Sequence, residues 1–346
     1  MNAARYALRT SLLPLPLLLA ACAAAQTPAN LPALKVDPAR ISVAGLSSGA
    51  YMATQSQMAW PQLFRGAALV AGGPYGCADG KLETALGSCM KGEPAPALDA
   101  LVVKAQQRSK LGQIGPLEAL AKARVYVLHG SADPLVATSV SRAAADFYER
   151  LRSAQPALSG LKVDWDGERE FGHNLPLEEK GDDCAKSIAP FMGHCGFDAA
   201  GAIFEHLYGK PPRPAVSADG ALLAFDQKLY AAKDEDALLG DTGYAYVPKA
   251  CSKGNPCGVM VVFHGCKQNV ETVGQSFVRD AGFNRWADVY AVALLYPQTH
   301  ASFAPLNPQG CWDWWGYSGS DYDTRSGAQQ QWLTNALRAM GVAQAE

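Results

Sequence analysis

The sequence predicts an α/β fold: a single domain with a mainly parallel central sheet flanked by helices. Short apolar and β-branched runs alternate with helical stretches along most of the 346 residues, which is typical of parallel sheets. The chain is 49% hydrophobic and 18% charged, a globular composition with enough apolar material for a large core. Polar residues directly follow the strand-like runs, at the ends where parallel sheets bind their ligands.

The predicted elements follow one another in a regular order. An apolar run around Ile41 and Val43 predicts the first strand, and the Ala-, Met- and Gln-rich stretch from Ala50 predicts a helix. Further strands are expected at residues 66–72, 125–128, 161–165, 243–247, 258–263 and 291–296, with helices at 139–152 and 276–290. The run at 243–247 alternates like an edge strand, and closely spaced prolines predict a linker near 209–218.

A sharp turn lies between the first strand and the first helix. Residues 45–49 read GLSSG, the G-x-S-x-G pattern of a nucleophile elbow in the strand-turn-helix context that the elbow requires. The glycines at 45 and 49 have no Cβ that would clash in so tight a turn. Ser47 is therefore expected at a helix N-terminus, where backbone N–H groups and the dipole favour a developing negative charge. The alternative is a Gly/Ser turn without chemistry.

Two further polar residues follow later strands. Asp133 ends the segment HGSAD at 129–133, and His173 comes after the strand at 161–165, beside a glycine. The chain order Ser47, Asp133, His173 is that of α/β-hydrolase triads, in which a strand-end acid orients a later histidine. The alternatives are a plain turn residue for Asp133 and a surface loop histidine for His173. Other histidines that compete for the role of base are His129, His194, His206, His264 and His300.

A histidine-glycine pair ends the apolar strand at 258–263. In α/β-hydrolases such a pair follows an early strand and supplies one backbone N–H of the oxyanion hole, while the residue after the nucleophile supplies the other. Here His264 and Gly265 come about 220 residues after Ser47 instead of before it. A circular permutation that moves the early strands to the C-terminal part of the chain restores the same site. The alternative is a strand end in a separate domain without a catalytic role.

The N-terminal residues have the features of an export signal. Arg5 and Arg9 precede an apolar run that is too short to span a membrane, so residues 1–21 are expected to be a signal peptide. The sequence LAAC at 19–22 resembles a bacterial lipobox and predicts lipidation of Cys22, which is a possible route to membrane attachment. Cleavage near residue 25 by ordinary signal peptidase is the competing route.

The domain boundaries follow from these assignments. Residues 22–39 are expected to form an N-terminal tether, and residues 40–346 one catalytic domain. The elbow, the acid and the histidine fall in residues 40–208, and the oxyanion strand falls in residues 240–346. The linker near 209–218 lies between these two parts.

Eight cysteines remain after the signal segment and Cys22. An even number in an exported chain indicates disulfides, and the absence of C-x-x-C pairs argues against a structural zinc site. Eight cysteines allow 105 pairings, so the sequence does not fix the connectivity. The short separations suggest three local loops and leave one longer pair: Cys77 with Cys89, Cys184 with Cys195, Cys251 with Cys257, and Cys266 with Cys311.

The charge of the chain limits its partners. A formal net charge of -2 gives no basic excess, so neither nucleic acid nor an anionic surface is an expected partner. The expected chemistry needs no metal and no organic cofactor. We expect a monomer that is exported and is periplasmic, anchored to the outer membrane, or extracellular.

Several motifs together resemble one family, the circularly permuted polyhydroxyalkanoate depolymerases, esterases that hydrolyse poly(3-hydroxybutyrate). The motifs are AGLSSGAYMA at 44–53, HGSAD at 129–133, GH at 172–173, YVP at 246–248, HGCKQ at 264–268 and GCWDWWG at 310–316. They extend from the elbow strand to residue 316. The resemblance therefore covers nearly all of the chain that follows the signal segment.

The resemblance implies a circularly permuted α/β-hydrolase fold and the mechanism of a serine esterase. It implies Ser47 as the nucleophile, with Asp133 and His173 as its partners. It also implies that the backbone N–H groups of Ser48 and Cys266 form the oxyanion hole.

The resemblance further implies that the polyester, or its hydroxyalkanoate oligomers, contacts tryptophans near the cleft. Trp312, Trp314 and Trp315 are the candidates, and the sequence does not select among them. Two other functions stay open. One is a carbohydrate esterase of the acetyl xylan or feruloyl type, and the other is an exported lipoprotein that keeps the fold without catalysis.

The lipobox assignment is directly testable in a bacterial host. We expect the protein to incorporate radiolabelled fatty acid and the Cys22→Ala variant to incorporate none, because lipidation requires the thiol of the new N-terminal cysteine. Gel autoradiography of both proteins measures this. A mature N-terminus at Gln26 or nearby would contradict the lipobox and support ordinary cleavage.

Overall fold

A computed structural model describes Met1, residues 30–232 and residues 236–343. Within these residues the strands are β1 Val36–Leu46, β2 Gly66–Val70, β3 Arg124–Leu128, β4 Lys162–Asp166, β5 Leu175–Leu177, β6 Asp182–Asp183, β7 Met192–His194, β8 Ala221–Asp226, β9 Thr242–Val247, β10 Cys257–Phe263, β11 Val292–Tyr296, β12 Ser302–Phe303 and β13 Leu306–Asn307. The α-helices are α1 Ser48–Ala59, α2 Leu82–Leu86, α3 Leu98–Lys110, α4 Thr138–Ala154, α5 Ala199–Tyr208, α6 Lys249–Ser252, α7 Val270–Val273, α8 Ser276–Asp280, α9 Phe283–Tyr290 and α10 Ala328–Ala339. Short 3-10 helices lie at Leu117–Lys122, Pro156–Leu158 and Gln227–Tyr230.

An eight-stranded sheet forms the centre of the fold, in the order β4-β3-β2-β1-β10-β11-β9-β8. The first six strands in this order, β4, β3, β2, β1, β10 and β11, run parallel to one another. Strands β9 and β8 are added antiparallel at one edge. Parallel neighbours require crossover connections, and helices supply them here. The mainly parallel sheet with flanking helices that the sequence predicts is therefore confirmed.

Both faces of the sheet are buried. In β1, Ile41 and Val43 belong to one apolar core, and Ala44 and Leu46 belong to the other. Helices α1, α3, α4 and α10 contribute to the first core, and α5 and α9 to the second. Because both faces are covered, the central strands are apolar along their whole length instead of alternating.

Strand β1 lies at the centre of the sheet, between β2 and β10. Gly45 at the end of β1 pairs with Phe263 at the end of β10. The serine turn after β1 and the histidine-glycine pair after β10 therefore meet at one edge, although the chain separates them widely. The circular permutation stays a prediction, and this pairing is the neighbourhood that it requires.

Two predicted elements differ from the structure. The helix expected at 276–290 is two helices, α8 and α9, because Gly282 between them has a φ of +83° that a right-handed helix does not accommodate. The strand expected at the edge, 243–247, pairs on both sides, with β8 and with β11. The edge strand is β8, which the sequence does not reveal because its apolar run is short and follows the proline-rich segment.

The end of the predicted tether belongs to the packed domain. Leu31 is 6% exposed, and its N–H donates to the Tyr230 hydroxyl at 2.7 Å. The N–H of Leu34 donates to the carbonyl of Met340 at 2.9 Å. Strand β1 itself begins at Val36. The tether prediction is therefore wrong for residues 31–39, because a strand longer than its apolar run and contacts with distant segments hold these residues.

The predicted linker at 209–218 connects α5 to β8 without regular secondary structure. It joins two elements of one domain, since β8 completes the same sheet that begins with β1. The predicted signal peptide beyond Met1, Cys22 and the alternative cleavage position near residue 25 lie outside the described residues. None of the helices that are described is long and apolar enough to cross a membrane.

Four disulfides join cysteines within the part of the chain that the structure describes, most of them in loops. They are Cys77–Cys89, Cys184–Cys195, Cys251–Cys257 and Cys266–Cys311, the pairs that the sequence separations favour. Three of them join cysteines 12, 11 and 6 positions apart, and the fourth joins positions 45 apart. The fourth connects the segment after β10 to residues 310–316, called the tryptophan-rich segment below.

The packing of residues 31–35 predicts the result of two truncations. A chain that starts at Val36 should melt at a lower temperature than one that starts at Asn30, because it loses the buried Leu31 side chain and three hydrogen bonds made by the backbone of Leu31, Leu34 and Lys35. Burial of a leucine side chain contributes about 1.5–3 kcal/mol. Thermal melts followed by circular dichroism measure the difference, and equal melting temperatures would show that these contacts do not stabilise the domain.

Candidate active site

Ser47 has a strained backbone at the turn between β1 and α1. Its φ and ψ are 58° and -121°, a combination that few side chains adopt and that neighbouring structure must enforce. A Cβ on Gly45 would lie 2.2 Å from the Gly49 carbonyl oxygen, and a Cβ on Gly49 would lie 2.3 Å from the Phe263 carbonyl oxygen. Both positions therefore require glycine, and the turn presses directly against the end of β10.

The Asp133 carboxylate and the His173 ring form a buried pair. His173 Nδ1 donates to Asp133 Oδ2 at 2.7 Å, and Oδ1 accepts the N–H groups of Leu135 and Val136 at 2.8 and 3.0 Å. Burial by itself raises the pKa of Asp133, but the His173 hydrogen bond and the two backbone hydrogen bonds outweigh it and hold the pKa below its ordinary value. The carboxylate is thus ionised at neutral pH, and Nε2 is the ring nitrogen left to accept a proton.

Ser47 and His173 open into one cavity of about 580 Å³. The structure describes no hydrogen bond between the Ser47 hydroxyl and the His173 ring, and such bonds often tighten only when substrate binds. Most of the wall is apolar. The lining residues are Ser47, Ser48, Tyr51, Leu82, Leu86, Met90, Leu135, Val136, His173, Ser187, Phe191, Cys266, Lys267, Leu306, Asn307, Pro308, Gln309, Cys311, Trp314 and Trp315.

The segment after β10, residues 264–269, lies beside the serine and is called the oxyanion loop below. A Cβ on Gly265 would be 3.4 Å from the Ser47 Cβ, which is van der Waals contact. Ser48 and Cys266 both line the cavity. Within the described residues, neither backbone N–H of this pair has a hydrogen-bond acceptor in the protein. Two free N–H donors beside a serine are the elements of an oxyanion hole.

His264, the first residue of the oxyanion loop, fixes the loop by two hydrogen bonds of its ring. Its Nδ1 donates to the Gly265 carbonyl at 2.7 Å, and its Nε2 accepts the N–H of Thr299 at 3.2 Å. Complete burial lowers the pKa of His264 to about 4, so the ring is neutral at neutral pH. Both ring nitrogens are used by these hydrogen bonds, and His264 is not in the cavity wall.

The tryptophan-rich segment contributes two of its three tryptophans to the cavity. Trp314 stacks on Tyr51 with ring centroids 4.5 Å apart, and Trp315 packs beside it. Trp312 is 1% exposed and packs edge-on against Phe263 at 4.8 Å, away from the cavity wall. The prediction of a substrate contact is wrong for Trp312, because this side chain fills the core behind the oxyanion loop.

The remaining histidines lie elsewhere. His129 is buried near the acid, and burial lowers its pKa. His206 Nε2 lies 2.7 Å from a carboxylate oxygen of Asp164 in β4, and His194 ends the short strand β7. His173 is the histidine in the cavity wall. Over residues 30–232 and 236–343 no group of His, Cys, Asp and Glu side chains is arranged to hold a metal ion.

Three residues of the site had no assigned role from the sequence. The Ser187 hydroxyl accepts the N–H of His173 at 2.7 Å, and Phe191 packs edge-on against the His173 ring at 6.3 Å. Both lie in an irregular segment without periodicity, so no pattern marks them. Tyr51 lies in α1, four residues after Ser47. In a helix this spacing places two residues on the same face, so it was a signal that Tyr51 lies near Ser47.

The buried His264 makes stability depend on pH. The pKa of histidine is about 6.5 in an unfolded chain and about 4 for folded His264, so between these values only the unfolded state binds the proton. The free energy of unfolding should therefore fall as pH falls from about 6.5 to about 4, by up to about 3 kcal/mol. Urea unfolding at several pH values measures it.

The control for this dependence is His264→Gln, which removes the titrating group. Its free energy of unfolding should be lower at pH 7 but fall less steeply towards pH 4, since the other titrating groups are unchanged. The same pH slope in both proteins would contradict the assignment.

Known proteins resemble this chain along most of its length. Residues 243–340 match the family model described as Esterase PHB depolymerase. The poly(3-hydroxybutyrate) depolymerase of Delftia acidovorans is 38% identical over 317 residues, which are 90% of this chain and 60% of that protein. The polyhydroxybutyrate depolymerase of Talaromyces funiculosus is 34% identical over 338 residues, 92% of this chain and 95% of that protein. The chain thus spans nearly all of one relative and about 60% of the other.

Solved structures agree with this result. The crystal structure of PHB depolymerase from Penicillium funiculosum matches with a TM-score of 0.80 at 30% identity, covering 90% of this chain and 98% of that one. A PHB depolymerase complexed with an R3HB trimer matches with a TM-score of 0.79 at 29% identity and the same coverage. The fold is that of an α/β-hydrolase, and the chain belongs to the polyhydroxybutyrate depolymerase family of carboxylic ester hydrolases.

Proposed function

We propose that this chain is a serine esterase that hydrolyses ester bonds of poly(3-hydroxybutyrate) or of its oligomers. Ser47 is the nucleophile, His173 the general base, and Asp133 the acid that orients the histidine. The observation that carries the proposal is the buried 2.7 Å hydrogen bond between Asp133 and His173, at the wall of the cavity that the elbow serine also lines. The names of the relatives, and the R3HB trimer in one solved structure, support the substrate class.

The chemistry is acyl transfer in two steps. His173 Nε2 takes the proton of Ser47 as the hydroxyl attacks the ester carbonyl carbon, and it then returns the proton to the leaving alcohol. Asp133 is ionised, so it stabilises the imidazolium that forms between these events. Water then attacks the 3-hydroxyacyl ester of Ser47 with His173 as base. The serine is regenerated and the hydroxy acid is released.

The tetrahedral intermediates carry a negative oxygen that needs hydrogen-bond donors. The backbone N–H groups of Ser48 and Cys266 fit this need, because both residues line the cavity and both amides are without a protein acceptor within the described ranges. Helix α1 begins at Ser48, so the positive end of its dipole adds to the stabilisation of the negative oxygen. Each donor of this kind contributes about 3–4 kcal/mol to the transition state.

The shape and chemistry of the cavity suit an aliphatic polyester. Tyr51 and Trp314 form a stacked aromatic wall, and Leu82, Leu86 and Leu306 extend the apolar lining to the surface. Each repeat of poly(3-hydroxybutyrate) carries a methyl group and one ester, so apolar walls with few polar groups fit the chain. We propose that Trp314 and Trp315 contact the substrate.

The location of the enzyme is proposed from its covalent structure. Four disulfides support an oxidising compartment, since thiols stay reduced in the cytosol. This supports export, with the enzyme in the periplasm, on the outer membrane or outside the cell.

The triad assignment predicts the effects of two substitutions. Ser47→Ala should lower kcat for a soluble 3-hydroxybutyrate trimer by about 10⁴-fold or more, because the attacking oxygen is lost. Asp133→Asn should be less severe, because the acid orients and stabilises the histidine without itself attacking. Chromatography of the released acids measures both rates, and thermal melts check that the fold is kept.

Two results of this experiment would contradict the proposal. Activity of Ser47→Ala within tenfold of the wild type would exclude Ser47 as nucleophile. A wild-type protein that hydrolyses acetylated xylan or feruloyl esters, but no hydroxybutyrate oligomer, would retain the mechanism and change the substrate class.

The surface beside the cavity predicts a difference between polymer and oligomer. Phe303 is 84% exposed on the β12–β13 hairpin, paired with Leu306 of the cavity wall. Phe303→Ser should lower the rate on amorphous polymer particles several-fold more than the rate on trimer, because a particle contacts surface beyond the cavity. The control Leu111→Ser changes a residue that is 74% exposed and outside the cavity wall. Equal losses on both substrates would contradict this role.

A further inference from the structure

Gln268 connects the oxyanion loop to the opposite wall of the cavity. Its Oε1 accepts the N–H of Gly265 at 2.7 Å. Its Nε2 donates to the carbonyl of Pro190 at 2.7 Å and lies 3.5 Å from the carbonyl of Phe191. The side chain is 1% exposed and is not part of the cavity wall, so it does not touch a substrate in the cavity.

The peptide unit between Gly265 and Cys266 is held on its carbonyl side. In a trans peptide the C=O of Gly265 and the N–H of Cys266 point in opposite directions. His264 Nδ1 donates to that C=O at 2.7 Å, and the N–H of the next residue, Lys267, donates to the Gln309 carbonyl at 2.7 Å. The neighbouring groups are thus bonded, while the Cys266 N–H has no acceptor within the described protein.

Because residue 265 is a glycine, the orientation of the peptide unit that follows it depends on hydrogen bonds from other residues. Glycine has more backbone freedom than other residues, so the peptide that follows it can rotate unless its neighbours are fixed. The Gln268 Oε1 fixes the N–H on one side of the Gly265 Cα, and His264 fixes the C=O on the other. The two hydrogen bonds together leave a single orientation for the Cys266 N–H.

We propose that Gln268 is a positioning residue for catalysis: its side chain fixes Gly265 and thereby aims the Cys266 N–H at the oxygen of the tetrahedral intermediate. The inference rests on the proposed oxyanion hole. Through Pro190 the same side chain also ties the loop to the segment whose Ser187 hydroxyl and Phe191 ring contact His173. Gln268 thus sets the distance between the oxyanion donor and the base.

A positioning role makes a specific kinetic prediction. Loss of Gln268 should lower kcat and leave KM within about twofold, because the oxyanion forms only after the substrate is bound. Complete loss of one oxyanion donor lowers kcat by about 10²–10³-fold, so a misaimed donor should cost about 10- to 100-fold. A boronic acid that binds serine as a tetrahedral adduct should lose affinity in parallel. If Gln268 only stabilised the fold, its loss would lower the melting temperature but would change neither kcat nor the affinity for the boronic acid.

Gln268→Glu supplies a readout that depends on one proton. An ionised carboxylate keeps the acceptor for the Gly265 N–H but repels the Pro190 carbonyl, whereas a protonated carboxyl group accepts and donates as glutamine does. Position 268 is buried, and burial raises the pKa of a carboxyl group placed there above its ordinary value. The ratio of variant to wild-type kcat should therefore rise as pH is lowered from 8 to 5.5. The other titratable groups near this position, His264 and the Asp133–His173 pair, are present in both proteins, so the ratio cancels their shared effect on kcat.

The experiment compares Gln268→Met, Gln268→Glu and the wild type on a soluble 3-hydroxybutyrate trimer, with Gln227→Met and Gln227→Glu as controls. Gln227 is also 1% exposed, and it too accepts a backbone N–H, from Gln298, and donates to a backbone carbonyl, of Gly240, but outside the cavity wall. We expect the control substitutions to lower the melting temperature with kcat changed less than threefold. The Gln268 substitutions should lower kcat as above.

Three outcomes would overturn the inference: kcat within threefold of wild type in folded Gln268 variants, equal losses in the Gln227 variants, or a Gln268→Glu ratio that is flat with pH. If Gln268→Met does not fold, the pH dependence of Gln268→Glu decides. The test requires that the wild type hydrolyses the trimer and that Ser47→Ala does not. A wild type without that activity would contradict the proposed function instead.

Discussion

The close approach of two backbone segments, the turn after β1 and the end of β10, is the constraint on which the site depends. Gly49 lies so near the Phe263 carbonyl that a single added carbon would be 2.3 Å from the oxygen. This contact follows from parallel pairing of the two strands up to Gly45 and Phe263. It sets the serine and the oxyanion loop side by side, and no flexible segment is needed to bring them together.

Much of the rest of the cavity wall comes from irregular segments, which require their own restraints. Ordering backbone costs about 1–2 kcal/mol per residue, so loops of this kind are fixed by bonds and not by propensity. The disulfide Cys266–Cys311 joins the oxyanion loop to the tryptophan-rich segment. Within that segment the buried Asp313 carboxylate accepts the N–H groups of Gly316, Tyr317 and Ser318 at 2.6, 3.0 and 2.7 Å. The positions of Trp314 and Trp315 depend on this carboxylate.

Much of the site could be predicted from the sequence, because its main residues are local signals at strand ends. The pattern around Ser47 fixes a turn by sterics alone, and Asp133 and His173 each follow an apolar run that is recognisable by itself. Chain order does not reveal side-chain direction, however, so the core residue Trp312 was taken together with Trp314 and Trp315, which line the cavity. The break at Gly282 and the packing of Leu31 depend on tertiary contacts. No local pattern contains that information.

The central claim is that Ser47 is activated by the elbow, the His173–Asp133 pair and the oxyanion loop together. The most direct measurement is labelling with a fluorophosphonate, followed by tryptic digestion and mass spectrometry. Trypsin releases residues 41–65 as one peptide, which also contains Ser42, Ser48 and Ser56, so fragmentation must locate the adduct. We predict one adduct per chain on Ser47 and none in His173→Ala at the same exposure. An adduct on another serine, or an active enzyme that remains unlabelled, would contradict the account.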